Sequence, residues 1–194
     1  MSDTTEAVDP NAPTTGPATG PVTGMDYFMS LHYAEKICPV VERFSGQLME
    51  GRITGHKCPQ CGLVYVPPRG YCPICVVETT EADEIVATDR GVVTNYTVVT
   101  PVAYYGQEAT EPFAKVSIYL DGGGSLSLQD VLDVPAAEVH VGMRVEAVWA
   151  PPGERTVDDI GNRSWGSAEG AIQGWHLTGE PDVAPEDLPN QGGF

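Results

Sequence analysis

Basic residues are scarce in this 194-residue chain: ten Lys and Arg stand against 27 Asp and Glu, a formal net charge of −17. Such a field repels phosphate backbones, so no nucleic-acid partner is expected. No apolar run approaches the roughly 18 residues needed to span a bilayer. The N-terminus also lacks the basic and then apolar stretch of a secretory signal. No membrane association is expected. Catalytic patterns are missing too. No Ser, Thr or Cys stands in a nucleophile elbow, and the glycines at 122–124 fall between strands rather than at a helix start, where a phosphate loop would need them. His32, His140 and His176 stand alone, without a partner motif, and are read as structural.

Cysteine is sparse but not scattered. Four of the five cysteines occur as Cys58-x2-Cys61 and Cys72-x2-Cys75, ten residues apart. Two residues between cysteines let a tight turn aim both sulfurs at one point. Two such turns on a short hairpin set four thiolates at tetrahedral corners, which suits Zn²⁺. Pro59 and Pro73 follow the first cysteine of each pair and fix φ there, and Gly62 follows the first pair, where a positive φ is often required. A closed four-thiolate shell leaves no open position, so the expected role is structural. The alternative occupant is redox iron, as in rubredoxins, which separate their turns more widely and pack aromatics around the iron. Here only Tyr65 and Tyr71 lie on the hairpin. Metal-binding cysteines without an export signal point to a reducing, cytoplasmic setting.

Residues 1–24 hold no aromatic, Lys or Arg and are rich in Pro, Gly and Thr, the composition of a disordered tail. A helical segment is expected over 25–51. Asp26 is a candidate cap for a first helix bearing Tyr27, Leu31, Ala34 and Cys38, and Pro39 starts a second with Val41, Phe44 and Leu48 on one face and Gly51 past its end. The metal ribbon occupies 52–80. From 81 to 181 the pattern is β, with strands expected at 85–88, 92–100, 113–121, 125–132 and 143–149, a loop at 151–170, and a further strand at 171–177. The clearest alternation sets Ala114, Val116, Ile118 and Leu120 against Lys115, Ser117 and Tyr119. Short strands without a long helix among them predict a small barrel of the oligonucleotide/oligosaccharide-binding (OB) type. Residues 182–194 read as a flexible acidic tail. The fold class is therefore mainly β with N-terminal helices, a rubredoxin-like zinc ribbon followed by a small OB-fold barrel.

Between Glu50 and Glu78 there is no acidic side chain, whereas Arg52, Lys57 and Arg69 are present. These cations either neutralise the dianionic metal–thiolate centre or face a phosphate-bearing ligand or acidic partner. Tyr104 and Tyr105 follow Pro101 and suit either an interface or packing at the barrel mouth. His56 is read as a flanking surface residue and Cys38 as a small buried hydrophobe. The tyrosines could serve an OB module that binds nucleic acid or oligosaccharide, but the basic groove for it is missing.

The order of these parts adds a resemblance. Cys58-x2-Cys61-Gly62, Pro67-Pro68-Arg69, Cys72-Pro73-x-Cys75, the strand Gly91-Val92-Val93-Thr94-Asn95-Tyr96-Thr97-Val98 and the later Val141-Gly142-Met143-Arg144-Val145-Glu146 and Thr178-Gly179-Glu180-Pro181 are together similar to a family that joins a rubredoxin-like zinc ribbon to an OB fold. The resemblance covers about residues 38–181. It implies a non-catalytic partner of thiolase-superfamily enzymes, among them thiolases, multicomponent acyltransferases and lipid-transfer-protein-type steroid aldolases. In that family the small subunit scaffolds the complex and helps form the coenzyme A channel, so a coenzyme A thioester would be the substrate of the complex. Only the four cysteines carry over residue by residue. The long N-terminal tail and the 151–170 segment depart from the family pattern.

Overall fold

The computed structural model describes residues 36–101, 110–156 and 170–189. The expectations for the 1–24 tail, for the first helix before Lys36, for Tyr104 and Tyr105 and for 157–169 lie outside these. Helix α1 spans Pro39–Met49, with Pro at its first position and Cys38 in an extended conformation before it. It buries Phe44 and Leu48, worth about 2 kcal/mol each. Its end is a Schellman turn: Arg52 N–H donates to Gln47 O at 2.9 Å and Gly51 N–H to Leu48 O at 2.9 Å. The Arg155 guanidinium, from beyond the barrel's fourth strand, donates to Met49 O at 3.2 Å and favours the helix's negative end.

Two β units follow. The ribbon unit has β1 (Ile53–Lys57), β2 (Val64–Tyr65), β3 (Tyr71–Cys72), β4 (Val77–Glu78) and β5 (Glu84–Ala87). β2, β1 and β5 form one sheet in that order, and β3 pairs with β4. The barrel has β6 (Arg90–Val99), β7 (Phe113–Leu120), β8 (Ser125–Gln129), β9 (Arg144–Trp149) and β10 (Ile172–Leu177), ordered β10-β9-β6-β7-β8. Of residues 85–88, expected as a barrel strand, Ile85, Val86 and Ala87 instead pair with β1, and the fifth barrel strand is β10. A short apolar strand does not carry its partner's identity in its own sequence.

The sheet closes through a parallel contact of Val131 with Trp175. Trp175 N–H donates to Asp130 O at 2.8 Å and Leu132 N–H to Trp175 O at 2.7 Å. The Trp175 indole N–H also donates to the Gln129 side chain at 3.0 Å, both groups being buried. This closed five-stranded barrel is the OB topology. The expected alternation holds along β7, with Val116, Ile118 and Leu120 buried in one core with Phe44, Leu48, Ile53 and Val66.

That shared core makes the ribbon and barrel one packed body, and the β7–β8 turn is where they touch. At Gly124 (φ 83) a Cβ would lie 2.5 Å from Val66 Cγ2, so only glycine lets the turn seat against the ribbon. The first residue of the same turn is tied to β9: Arg144 donates to Asp121 at 2.8 and 2.6 Å and to Glu180 at 3.2 Å, and Arg90 meets Glu180 at 2.7 Å. The chain beyond β10, read from sequence as loose from 182, is held at Val183 N–H to Gly142 O (2.9 Å) and at Asp182 to His140 (2.7 Å).

Two outcomes follow for stability. Gly124→Ala should cost about 2 kcal/mol in urea unfolding, through strained backbone and crowding against Val66; an unchanged midpoint would contradict the close seat. The Arg144 guanidinium, through its hydrogen bond first and its charge second, holds Asp121 below the ordinary 3.8. A depressed carboxylate stabilises above its unfolded pKa and loses that contribution as pH falls through the folded value. Asp121→Asn should therefore flatten the acid limb of stability below about pH 4, measured by urea midpoints against pH.

Candidate metal centre and the grooves beside it

Each knuckle is built by local backbone bonds. Gly62 N–H donates to Cys58 O at 2.9 Å and Val76 N–H to Cys72 O at 2.8 Å, so the two turns repeat one geometry. Amides also point at sulfur: Gln60 and Cys61 N–H reach Cys58 Sγ at 3.4 Å, and Cys75 N–H reaches Cys72 Sγ at 3.4 Å. Such donors favour thiolate over thiol. The residue after each pair takes a positive φ, 75° at Gly62 but 55° at Val76. A β-branched residue there is strained, and Val76 is 84% exposed, so no packing offsets the strain.

The four sulfurs lie within 4.8 Å of one another, with Cys61 and Cys72 Sγ 3.8 Å apart. A tetrahedron with metal–sulfur bonds of ~2.3 Å has edges of about 3.8 Å, so Cys58, Cys61, Cys72 and Cys75 fit a single Zn²⁺. Tyr65 adds a hydroxyl 3.5 Å from Cys72 Sγ. Burial pushes Cys72 up, but the N–H groups of Cys75 and Ile74 and the Tyr65 hydroxyl outweigh it and bring the thiol down to about 6. Burial, then hydrogen bonds shared with Cys61 and Cys58, pushes Cys75 up to about 12. Burial and the bond to Cys72 push the Tyr65 phenol up to about 12. Four thiols this close do not ionise together unless a cation sits among them.

Two grooves flank the centre. One of about 330 Å³ has Tyr65, Val66, Arg69, Ile74 and Tyr119 in its wall; the other, of about 390 Å³, has Cys38, Val41, Phe44, Arg69 and Tyr71. Val66, Arg69 and Ser125 belong to both, so Arg69 stands at their junction. It is exposed and has no acidic partner among the described residues. Arg52 is elsewhere, tied to the Gln47 side chain at 2.8 Å and to Glu50. Lys57 faces a third groove with Asp83 and Glu84, beside the first knuckle. Of the three cations expected to neutralise the metal centre or to face a ligand or partner, only Arg69 lines the paired grooves.

Two expectations are corrected. His56 is not a surface residue but 2% exposed, because β1 is the central strand of its sheet and the buried Thr79, just after β4, lies against the ring. Its Nδ1 is 3.0 Å from Thr79 Oγ1, and burial lowers its pKa, so it is a neutral interior group rather than a ligand. Cys38 is exposed, not buried, since it precedes the helix and borders a groove. Sequence reasoning missed Tyr65 as a neighbour of the sulfurs and Val76 as a strained position. Comparing Gly62 with Val76 across the two knuckles would have found the second.

With this geometry in view, the similarities to known proteins fall into place. Residues 46–79 match the family model of the ChsH2 rubredoxin-like zinc ribbon domain, and residues 84–150 that of the ChsH2 C-terminal OB-fold domain. A DUF35 domain-containing scaffold protein of Methanocaldococcus jannaschii is 37% identical over 97 residues, covering 50% of this chain and 67% of the relative. The chain belongs to the DUF35 family. A second DUF35 scaffold protein, from Methanothermobacter thermautotrophicus, is 28% identical over 109 residues, 56% of this chain and 79% of its own length. Among solved structures, a DUF35 protein of unknown function from Sulfolobus solfataricus aligns with TM-score 0.46 and 27% identity over 57% of this chain and 78% of that one. An Ltp2-ChsH2(DUF35) aldolase chain aligns with TM-score 0.48 and 20% identity over 60% and 88%. The DUF35 zinc ribbon and OB domain are both present here, in that order.

Metal analysis of aerobically purified protein should return one zinc per chain and no visible absorption; a coloured iron centre would contradict this. Val76→Gly should raise stability of the metal-bound ribbon by about 1 kcal/mol, through relief of the positive φ. A chelator-competition measurement reads it, and a loss of metal affinity would refute the strain.

Proposed function

We propose that this chain is a non-catalytic scaffold subunit of an acyl-CoA thiolase-like or retro-aldolase complex, with steroid side-chain degradation as the favoured branch. In this reading it stabilises a thiolase-fold or lipid-transfer-protein-like catalytic partner and lines part of its coenzyme A channel. Membership of a family whose curated relatives are named scaffold proteins supports the scaffolding role. One observation carries it to this surface. Around the second knuckle, Tyr71, Ile74 and Val76 are 52, 44 and 84% exposed, beside Arg69 and in the acid-free window. Exposed apolar side chains grouped with an arginine are the composition of an interface. Among the described residues the metal cluster offers four thiolate donors, a closed tetrahedral set, which suits holding rather than chemistry.

Arg69 is the guanidinium we assign to the nucleotide phosphates, which it can grip in bidentate fashion. Tyr104 and Tyr105 are proposed as partner contacts, and Arg52 and Lys57 take a lesser part in view of their positions. Cysteines used for metal rather than disulfides suit a reducing compartment, so we place the chain in the cytoplasm. Among the described residues, no helix is long and apolar enough to cross a membrane.

The test is co-expression with a thiolase-fold chain encoded beside this one. The two should co-elute as one complex, and separate elution would sink the proposal. In that complex Arg69→Glu should raise KM for the acyl-CoA by roughly tenfold with kcat retained, the pattern of lost ground-state and transition-state binding alike.

A further inference from the structure

The four sulfurs of the metal centre are not equivalent. Cys58 and Cys72, the first of each pair, are 1% and 0% exposed, whereas Cys61 is exposed and Cys75 half-buried. Their hydrogen bonds differ in the same sense. Cys58 Sγ accepts from the Gln60 and Cys61 N–H groups, and Cys72 Sγ from the Cys75 N–H and the Tyr65 hydroxyl. Cys61 has the Leu63 N–H as its donor. Among the described residues, Cys75 Sγ meets only the other three sulfurs and has no N–H or hydroxyl directed at it. Its chain neighbours Ile74 and Val76 are both exposed, so the approach to it is open. A hydrogen bond to a thiolate draws charge from the sulfur and lowers its nucleophilicity. The reachable sulfur without a donor is therefore the reactive one, and the two buried, doubly bonded sulfurs are inert beside it.

We propose that Cys75 is an oxidation site, the sulfur at which hydrogen peroxide opens the metal centre, with Cys61 as the thiolate that resolves it. The Cys75 sulfur attacks one peroxide oxygen and the O–O bond breaks, leaving a sulfenic acid and a hydroxide; the sulfur loses two electrons and the peroxide gains them. The Cys61 thiolate then attacks the Cys75 sulfur, the S–S bond forms as the S–O bond breaks, and a second hydroxide leaves. Cys61 is the available resolver because it is the other surface sulfur of a cluster that lies within 4.8 Å, while Cys58 and Cys72 are buried and held by their donors. Two of the four donors are then spent in a disulfide, so the tetrahedral set is broken. The two-residue strands β2, β3 and β4 lose what fixes them. A dithiol reductant regenerates both thiolates, which makes the device reversible. It belongs to the chain alone and does not depend on which partner the chain holds.

The full zinc-loaded chain treated with hydrogen peroxide tests this. Metal release is followed with a chromogenic chelator, and samples are alkylated with N-ethylmaleimide and digested with trypsin, which cuts at Arg69 between the two cysteine pairs. Zinc release should accompany a Cys61–Cys75 disulfide joining the peptides on either side of Arg69, and dithiothreitol with added zinc should reverse both. Without peroxide, N-ethylmaleimide should reach Cys75 at least about tenfold faster than Cys58 or Cys72. Met49, 40% exposed, serves as the internal standard for oxidant. Conversion of Met49 to its sulfoxide while zinc stays bound overturns the proposal. So does a disulfide joining any other pair of the four, or alkylation that reaches Cys58 or Cys72 first.

Discussion

Four sulfurs drawn to one point are the constraint on which the ribbon depends. β2, β3 and β4 are two residues each, too short to persist as strands on their own pairing. The knuckles fix where those pairs begin, and a cation among the thiolates offsets the mutual repulsion that would otherwise keep them apart. Amides aimed at Cys58 and Cys72, with the Tyr65 hydroxyl, tune the cluster from outside it. The centre is thereby closed on itself, and what it offers the rest of the protein is position.

That position is passed on through one seam. Val66, buried at the ribbon's edge, seats on Gly124 of the β7–β8 turn, and α1 adds Phe44 and Leu48 to the same core. The barrel supplies a rigid counterface because Trp175 and Gln129 close it with a buried hydrogen bond. The paired grooves lie along this seam, so Arg69 and the exposed apolar side chains of the second knuckle are carried on a braced surface. Such a surface can meet a partner without a large ordering cost.

Features set by local chemistry were legible in the sequence. The cysteine register, the helix start at Pro39, the Schellman glycine at 51 and the alternation along β7 each depend on neighbours within a few residues. Features set by distant pairing were not. Ile85 and its neighbours read as a barrel strand, because nothing in four residues says that β1 is the partner. His56 read as exposed, because its burial comes from later parts of the chain, Thr79 among them. The Trp175–Gln129 bond joins residues far apart in the chain, and Cys38 lies where a helix start meets a groove rather than a core. Arg52, Lys57 and Arg69 were grouped by proximity in sequence, and the fold separates them.

In the function proposed above, the ribbon is a holder and the chemistry belongs to another chain. Its most direct test is a reconstituted complex with the thiolase-fold partner in which Cys58→Ser replaces the wild-type chain, with assembled fraction and turnover per assembled complex both measured. The expected result is loss of assembly, with turnover falling only in proportion to it. A Cys58→Ser chain that assembles normally yet has lost turnover would contradict the account.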